Sequence, residues 1–133
     1  DFDRNYAVGQ VSDDVRRVHE ALWLATEAGI KAAVPGATTD DVFRAMEKII
    51  QEAGAIGNNV GRLGHGLGMQ LTEPPSHRLG DGTVILENMV LTIEPGMEYA
   101  PGKMIVHEEN IAITTSGPRL LTKRAPRELP VIR

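Results

Sequence analysis

The chain has 133 residues, 41% of them apolar, and a formal net charge of −4, which is one domain's worth of polypeptide with enough apolar content for a core. No apolar run approaches the roughly 20 residues that cross a bilayer, and no signal-peptide pattern opens the chain, so no membrane contact and a cytoplasmic location are expected. The acidic balance argues against nucleic acid as a partner, and the absence of cysteine leaves only nitrogen and oxygen to hold any metal.

In chain order, Phe2, Tyr6 and Val8 stand among polar residues and predict a short strand closed by Gly9. Ser12 reads as an N-cap with Asp13 and Asp14 in the first turn, and Val15, Val18, Leu22 and Ala25 recur at helical spacing. A helix from Asp13 to Ala33 follows, stopped by Pro35-Gly36. Its His19, among charged neighbours, is expected in solvent. Thr39 is expected to cap a second helix, Asp40 to Ala53, with Val42, Met46, Ile49 and Ile50 inside; Gly54 and Gly57-Asn58-Asn59 end it in a loop.

Beyond the loop the pattern becomes β-prone. Val84-Ile85-Leu86, Met89 to Ile93, Met104-Ile105-Val106, Ile111 to Thr114 and Leu120-Leu121-Thr122 are short runs separated by Gly, Pro or Asn. Helices first and strands afterwards predict an α+β arrangement. The tail from Arg124 to Arg133, with two prolines, is expected to lie extended on the domain.

Three features carry chemistry. His65 lies in the glycine-rich stretch Gly64-His65-Gly66-Leu67-Gly68, Glu94 follows an apolar run and precedes Pro95-Gly96, and Glu108 lies in Val106-His107-Glu108-Glu109-Asn110. An acid in a β-prone apolar run is expensive to bury unless it is paired or bound to metal. Together with the carboxylates of Asp1 and Asp3, these residues give the mixed nitrogen and oxygen donors that suit Mn, Fe, Co or Zn. The local pattern also allows a hydrogen-bonding loop histidine and solvated acids, and the spacing matches no local metal motif such as HExxH.

The motifs GHGLG, TIEPG and HEEN, in this order, resemble the signature of the pita-bread metallopeptidases, the family of methionine aminopeptidase, prolidase, aminopeptidase P and creatinase. The wording is most similar to the prolidase and aminopeptidase P members, and it extends from Asp1-Phe2-Asp3-Arg4-Asn5 to Glu128-Leu129-Pro130. The resemblance implies helices packed on a curved, mainly antiparallel sheet and two divalent metal ions (Mn, Co, Fe or Zn). Asp1 and Glu108 would bridge the ions from opposite sides, with His65 and Glu94 on one of them and Glu94 also as general base and acid. A further family aspartate falls before residue 1. Residues 1–133 are therefore read as the C-terminal catalytic domain of a longer protein, with the first part of the domain missing, and the fragment alone is expected to be inactive.

The implied activity is hydrolysis of short peptides ahead of proline by a protein that is a homodimer when full length. One departure stands out. The family's second histidine falls on Thr72, followed by Glu73. Thr72, His77 and His107 are the candidate substrate contacts, with His77 a replacement for the lost imidazole if the Pro74-Pro75 loop folds back. Two alternatives follow from the same resemblance: a metal-dependent lyase acting on a small molecule such as dimethylsulfoniopropionate, and a binding module that has lost turnover. Retention of Asp1, His65, Glu94 and Glu108 argues against the metal-free creatinase mechanism.

Overall fold

Ser12 sits in extended backbone and its hydroxyl accepts from the Val15 N–H, which opens helix α1 (Asp13–Ala32) in the computed structural model. The structure describes residues 1–57 and 61–133; Asn58 and Asn59, expected in a loop, lie outside them. Helix α2 (Thr39–Glu52) is capped one residue earlier than expected. Thr38 is the N-cap, its hydroxyl accepting from the Asp41 N–H while the Asp41 carboxylate accepts from the Thr38 N–H. Thr39 is buried instead, and its hydroxyl donates to the Asp81 carbonyl.

The strands among the described residues are β1 (Ala7–Val8), β2 (His65–Gly66), β3 (Glu73–Ser76), β4 (Val90–Ile93), β5 (Gly96–Ala100), β6 (Lys103–Val106), β7 (Glu109–Thr114), β8 (Gly117–Leu120) and β9 (Val131–Ile132). The main sheet has the order β3-β2-β4-β7-β8, with each neighbouring pair antiparallel. Strands β5 and β6 form a separate hairpin, and β1 pairs with β9 in parallel. This is the expected α+β arrangement, with the tail extended and its last strand paired.

Helix α1 packs on α2 and on strands β4, β5 and β6, and the apolar stripes of both helices share one core with the sheet. Leu22 on α1, Met46 on α2 and Ile93 on β4 are fully enclosed, each side chain worth about 1.5–3 kcal/mol of burial. Gly29 sets the closeness of this packing: a Cβ there would meet the Met46 sulfur at 2.6 Å and Ile93 Cγ2 at 2.8 Å.

Several elements differ from the sequence pattern: β2, β5 and β9 had no expected counterpart, and β8 begins three residues before the run expected at Leu120. The run Val84–Leu86 is not a strand; Val84 makes one bridge to Thr38, and the Ile85 N–H donates to the Ala37 carbonyl. Of the expected first strand only Ala7 and Val8 pair, because Asp1 to Asn5 are held by side-chain hydrogen bonds instead. The segment Glu73–Ser76, with two prolines, does form a strand, and it sits at the edge of the sheet where missing N–H donors are tolerated.

Candidate metal centre

The register of three strands builds the site. In the β4–β7 pair Ile93 lies opposite Glu109, so the residues just outside the ladder, Glu94 and Glu108, leave the sheet at the same end. In the β2–β4 pair Gly66 lies opposite Leu91, which brings His65 beside Thr92, and the His65 N–H donates to Thr92 Oγ1 at 3.1 Å. Gly64 makes this approach possible. Its φ is +135°, and a Cβ would collide with the Thr92 carbonyl oxygen and the His77 ring.

The fourth residue arrives from the far end of the sequence. Arg4 donates from Nη1 to the Glu108 carbonyl at 2.8 Å and from Nη2 to Glu109 Oε2 at 2.9 Å and the Lys123 carbonyl at 2.7 Å. Asn5 donates to the Val106 carbonyl at 2.7 Å. These bonds lay the first residues along the entry to β7 and bring Asp1 and Asp3 to the cluster.

His65 Nε2 lies 3.6 Å from Glu94 Oε2, 3.7 Å from Asp1 Oδ2 and 3.9 Å from Glu108 Oε1. These separations are too long for hydrogen bonds and suit an ion placed between the donors. The other ring nitrogen, Nδ1, lies 2.8 Å from the Gly66 carbonyl, which only accepts. The proton therefore sits on Nδ1, leaving the Nε2 lone pair aimed at the carboxylates, as metal-binding histidines require. Glu94 Oε2 and Glu108 Oε1 are buried and have no hydrogen-bond partner among the described residues. Burial raises the Glu94 carboxyl above its ordinary range, and burial followed by the negative charges of Glu94 and Asp3 pushes Glu108 up to about 7. Buried oxygens without donors, converging with a free imidazole lone pair, fit a divalent cation.

Two groups of donors lie within 4.8 Å of one another: Asp1, His65 and Glu108, and Asp3, Glu94 and Glu108. Sequence reasoning counted Asp1, Asp3, His65, Glu94 and Glu108 among the donors, and the resemblance made ligands of all but Asp3. Sequence reasoning missed Arg4 and Glu109, whose partners are more than a hundred positions apart in the chain. A buried acid beside Glu108 was the available signal.

His77 and His107, expected as substrate contacts, are fully buried, and this is a correction. His77 does not stand on a surface loop: its ring packs under Gly64, and burial lowers it to about 4. His107 alternates with Glu108 and points to the helix side of the sheet, where it meets His19 edge-on at 4.8 Å between ring centroids. His19 is itself buried rather than solvated, with Nε2 3.3 Å from the Pro126 carbonyl. Thr72 is exposed and, with Glu73, Arg62 and Arg78, lines a cavity of about 580 Å³. Glu73 is engaged, accepting from the Gln70 N–H at 2.7 Å and lying against Gly68.

The profile of metallopeptidase family M24 matches residues 1–115. The chain belongs to this family. It is 37% identical over 134 residues to an Xaa-Pro dipeptidase of Lactobacillus delbrueckii subsp. lactis, covering 98% of this chain and 36% of that protein. It is 33% identical over 132 residues to a probable dipeptidase PepE of Mycobacterium tuberculosis, covering 99% and 35%. Among solved structures, a prolidase from Thermococcus sibiricus superposes with a TM-score of 0.89 at 31% identity, over 98% of this chain and 35% of that one. The M24 fold here is thus the pita-bread fold, and the chain spans about a third of the length of these relatives.

Proposed function

We propose that this M24 chain forms the metal-binding catalytic part of an Xaa-Pro peptidase-like hydrolase acting on short peptides. The observation that carries the reading is the convergence of Asp1, Glu94 and Glu108 oxygens on His65 Nε2 at 3.6–3.9 Å, with one buried oxygen each of Glu94 and Glu108 lacking a hydrogen-bond partner among the described residues. The names of the relatives support the substrate class.

A pair of divalent ions held by these residues would supply Lewis acidity, polarising a scissile carbonyl and lowering the pKa of water. The protein's own groups do the rest. Glu94, raised by burial, takes a proton at Oε2 and returns it to the leaving amine. The Gly66 carbonyl fixes the His65 tautomer, and Thr92 fixes its backbone. Arg4 holds the entry to β7 so that Asp1 and Glu108 face each other across the site.

Thr72 favours a second reading, because no imidazole stands at that position to contact a peptide or its tetrahedral intermediate. The test is to load the full-length protein with Mn²⁺ or Co²⁺ and offer it Xaa-Pro dipeptides beside dimethylsulfoniopropionate. Release of proline supports the peptidase. Acrylate without proline overturns it in favour of a lyase, and neither product, with metal bound, in favour of a binding module.

A further inference from the structure

The cavity of about 580 Å³ beside strand β3 is lined by none of Asp1, His65, Glu94 or Glu108. Strand β3 supplies Glu73, Pro74 and Pro75, and the turn after it supplies Arg78 and Asp81. Hydrogen bonds fix that turn. Asp81 Oδ2 accepts from the Ser76 N–H at 3.3 Å, and Oδ1 accepts from the Thr83 N–H at 3.0 Å and its hydroxyl at 2.6 Å. The Asp81 carbonyl accepts from the buried Thr39 hydroxyl at 2.9 Å, which ties the turn to α2. A built cavity of this size is large enough for a small molecule.

The acids and the arginines of the lining differ in what they are already bound to. Glu73 Oε1 accepts from the Gln70 N–H at 2.7 Å. The Thr83 hydroxyl, followed by the N–H groups of Thr83 and Ser76, holds the Asp81 carboxyl down to about 2. Both acids are thus satisfied by their own loops. Neither the Arg62 nor the Arg78 guanidinium makes an ion pair or a hydrogen bond with a described residue, and Arg62 Nε is buried without a partner. Water satisfies an exposed guanidinium such as that of Arg78, but a buried N–H without an acceptor is costly. Arg62 also borders the metal centre. The Glu94 N–H donates to the carbonyl of its neighbour Leu63 at 2.9 Å, and the charge of Arg62 is felt at the Glu94 carboxyl.

We propose that this cavity binds a carboxylate, with the Arg62 guanidinium as its main partner and Arg78 as a second cation. A guanidinium meets both oxygens of a carboxylate with parallel N–H donors. The same fork suits phosphate, but Glu73 and Asp81 share the lining and repel a dianion more than a monoanion. Pro74, Pro75 and Met89 give an apolar wall for the body of such a ligand. The carboxylate has two sources, the end of a substrate or a separate small acid. Both candidate substrates, an Xaa-Pro dipeptide and dimethylsulfoniopropionate, carry one. The inference goes beyond the proposed function and stands whichever reaction the metal centre performs.

The test is isovalerate binding to the full-length protein, read by saturation-transfer nuclear magnetic resonance, with isovaleramide as the neutral control. A parallel titration in chelator keeps the acid off any bound metal. Wild type is expected to bind the acid in chelator and not the amide. Arg62→Gln is expected to weaken the acid by about tenfold or more without lowering the melting temperature, and Arg62→Lys to recover part of that loss. Arg78→Gln, at an exposed position, is expected to weaken it by about twofold. Acid and amide binding alike, binding that vanishes in chelator, or equal affinity in wild type and Arg62→Gln overturns the assignment. The acid and amide comparison uses wild type alone, so it decides the matter even where a variant folds poorly. A KM that rises in Arg62→Gln for an Xaa-Pro dipeptide more than for its C-terminal amide supports the cavity with the substrate as source. Weakened isovalerate with neither KM moved supports it with a separate acid as source. A protein that binds isovalerate through Arg62 and hydrolyses no peptide supports the cavity and overturns only the proposed function.

Discussion

Glu108 and Glu109 are neighbours at the entry to β7, both buried, and they face opposite sides of the sheet. Glu109 accepts hydrogen bonds from Arg4, Thr122, Arg124 and the Ala125 N–H. Burial alone would raise its carboxyl, but those donors outweigh burial and hold it below its ordinary range. Glu108 has an oxygen with no partner, other carboxylates beside it, and a carboxyl pushed up to about 7. A buried acid with its acceptors filled is part of the scaffold; one left unfilled among its own kind is shaped for something that arrives later. The contrast separates the two sides of the sheet by function without reference to any relative.

The sharpest way to break this contrast is at Glu94. Glu94→Gln is expected to lower Xaa-Pro hydrolysis by about 10³-fold or more while the circular dichroism of the metal-free protein is unchanged. Retention of a tenth of the activity removes Glu94 from the mechanism. On the opposite face, Glu109→Ala strands Arg4 and Arg124 beside a void and is expected to cost about 3–5 kcal/mol in urea unfolding. A loss below about 1 kcal/mol would mean that the scaffold role is misassigned.

A third expectation concerns acid. His77 falls from 6.5 to about 4 on burial, so the unfolded chain binds its proton first. Its contribution is fully present above pH 6.5 and is lost as pH falls from there to about 4, a change of about 3 kcal/mol. His77→Phe, compared with wild type at pH 7 and pH 4.5, is expected to flatten the acid side of the stability curve, and parallel curves would contradict it. The smallest effect has the opposite sign. Glu108 is raised in the folded state, so its cost is absent below pH 4.5 and grows as pH rises through about 7. In chelator at pH 8, Glu108→Gln is expected to be more stable than wild type by about 2 kcal/mol after solvent screening, a gain that disappears at pH 5.

Both helices and strands β4, β6 and β7 were legible because their signals are local: apolar periodicity, an N-cap serine, and Gly or Pro between β-prone runs. The cap of α2 was misread because two threonines stand in tandem, and only the reciprocal bond to Asp41 selects Thr38. Strand β3 was missed because Pro74 and Pro75 argue against a strand until the sheet edge is known. The residues around His65 were legible by motif, since Gly64, Pro95 and Asn110 mark where backbones approach. Their convergence depends on the β4–β7 register, which no spacing encodes. His19, His77 and His107 were misread because a histidine's environment is fixed by what packs over it, and here that comes from distant segments.

The Arg4 clamp also has a bearing on how the chain folds. It joins residue 4 to carbonyls and a carboxylate more than a hundred residues away, so its bonds form only after β7 and the turn around Lys123 are in place. Closing so long a loop is slow compared with winding α1 and α2 or zipping the β7–β8 hairpin. The arm bearing Asp1 and Asp3 is therefore a late arrival in folding, docking onto a sheet that already exists. Until Arg4 docks, only His65, Glu94 and Glu108 of the described donors stand together, and Asp1 joins them late in assembly.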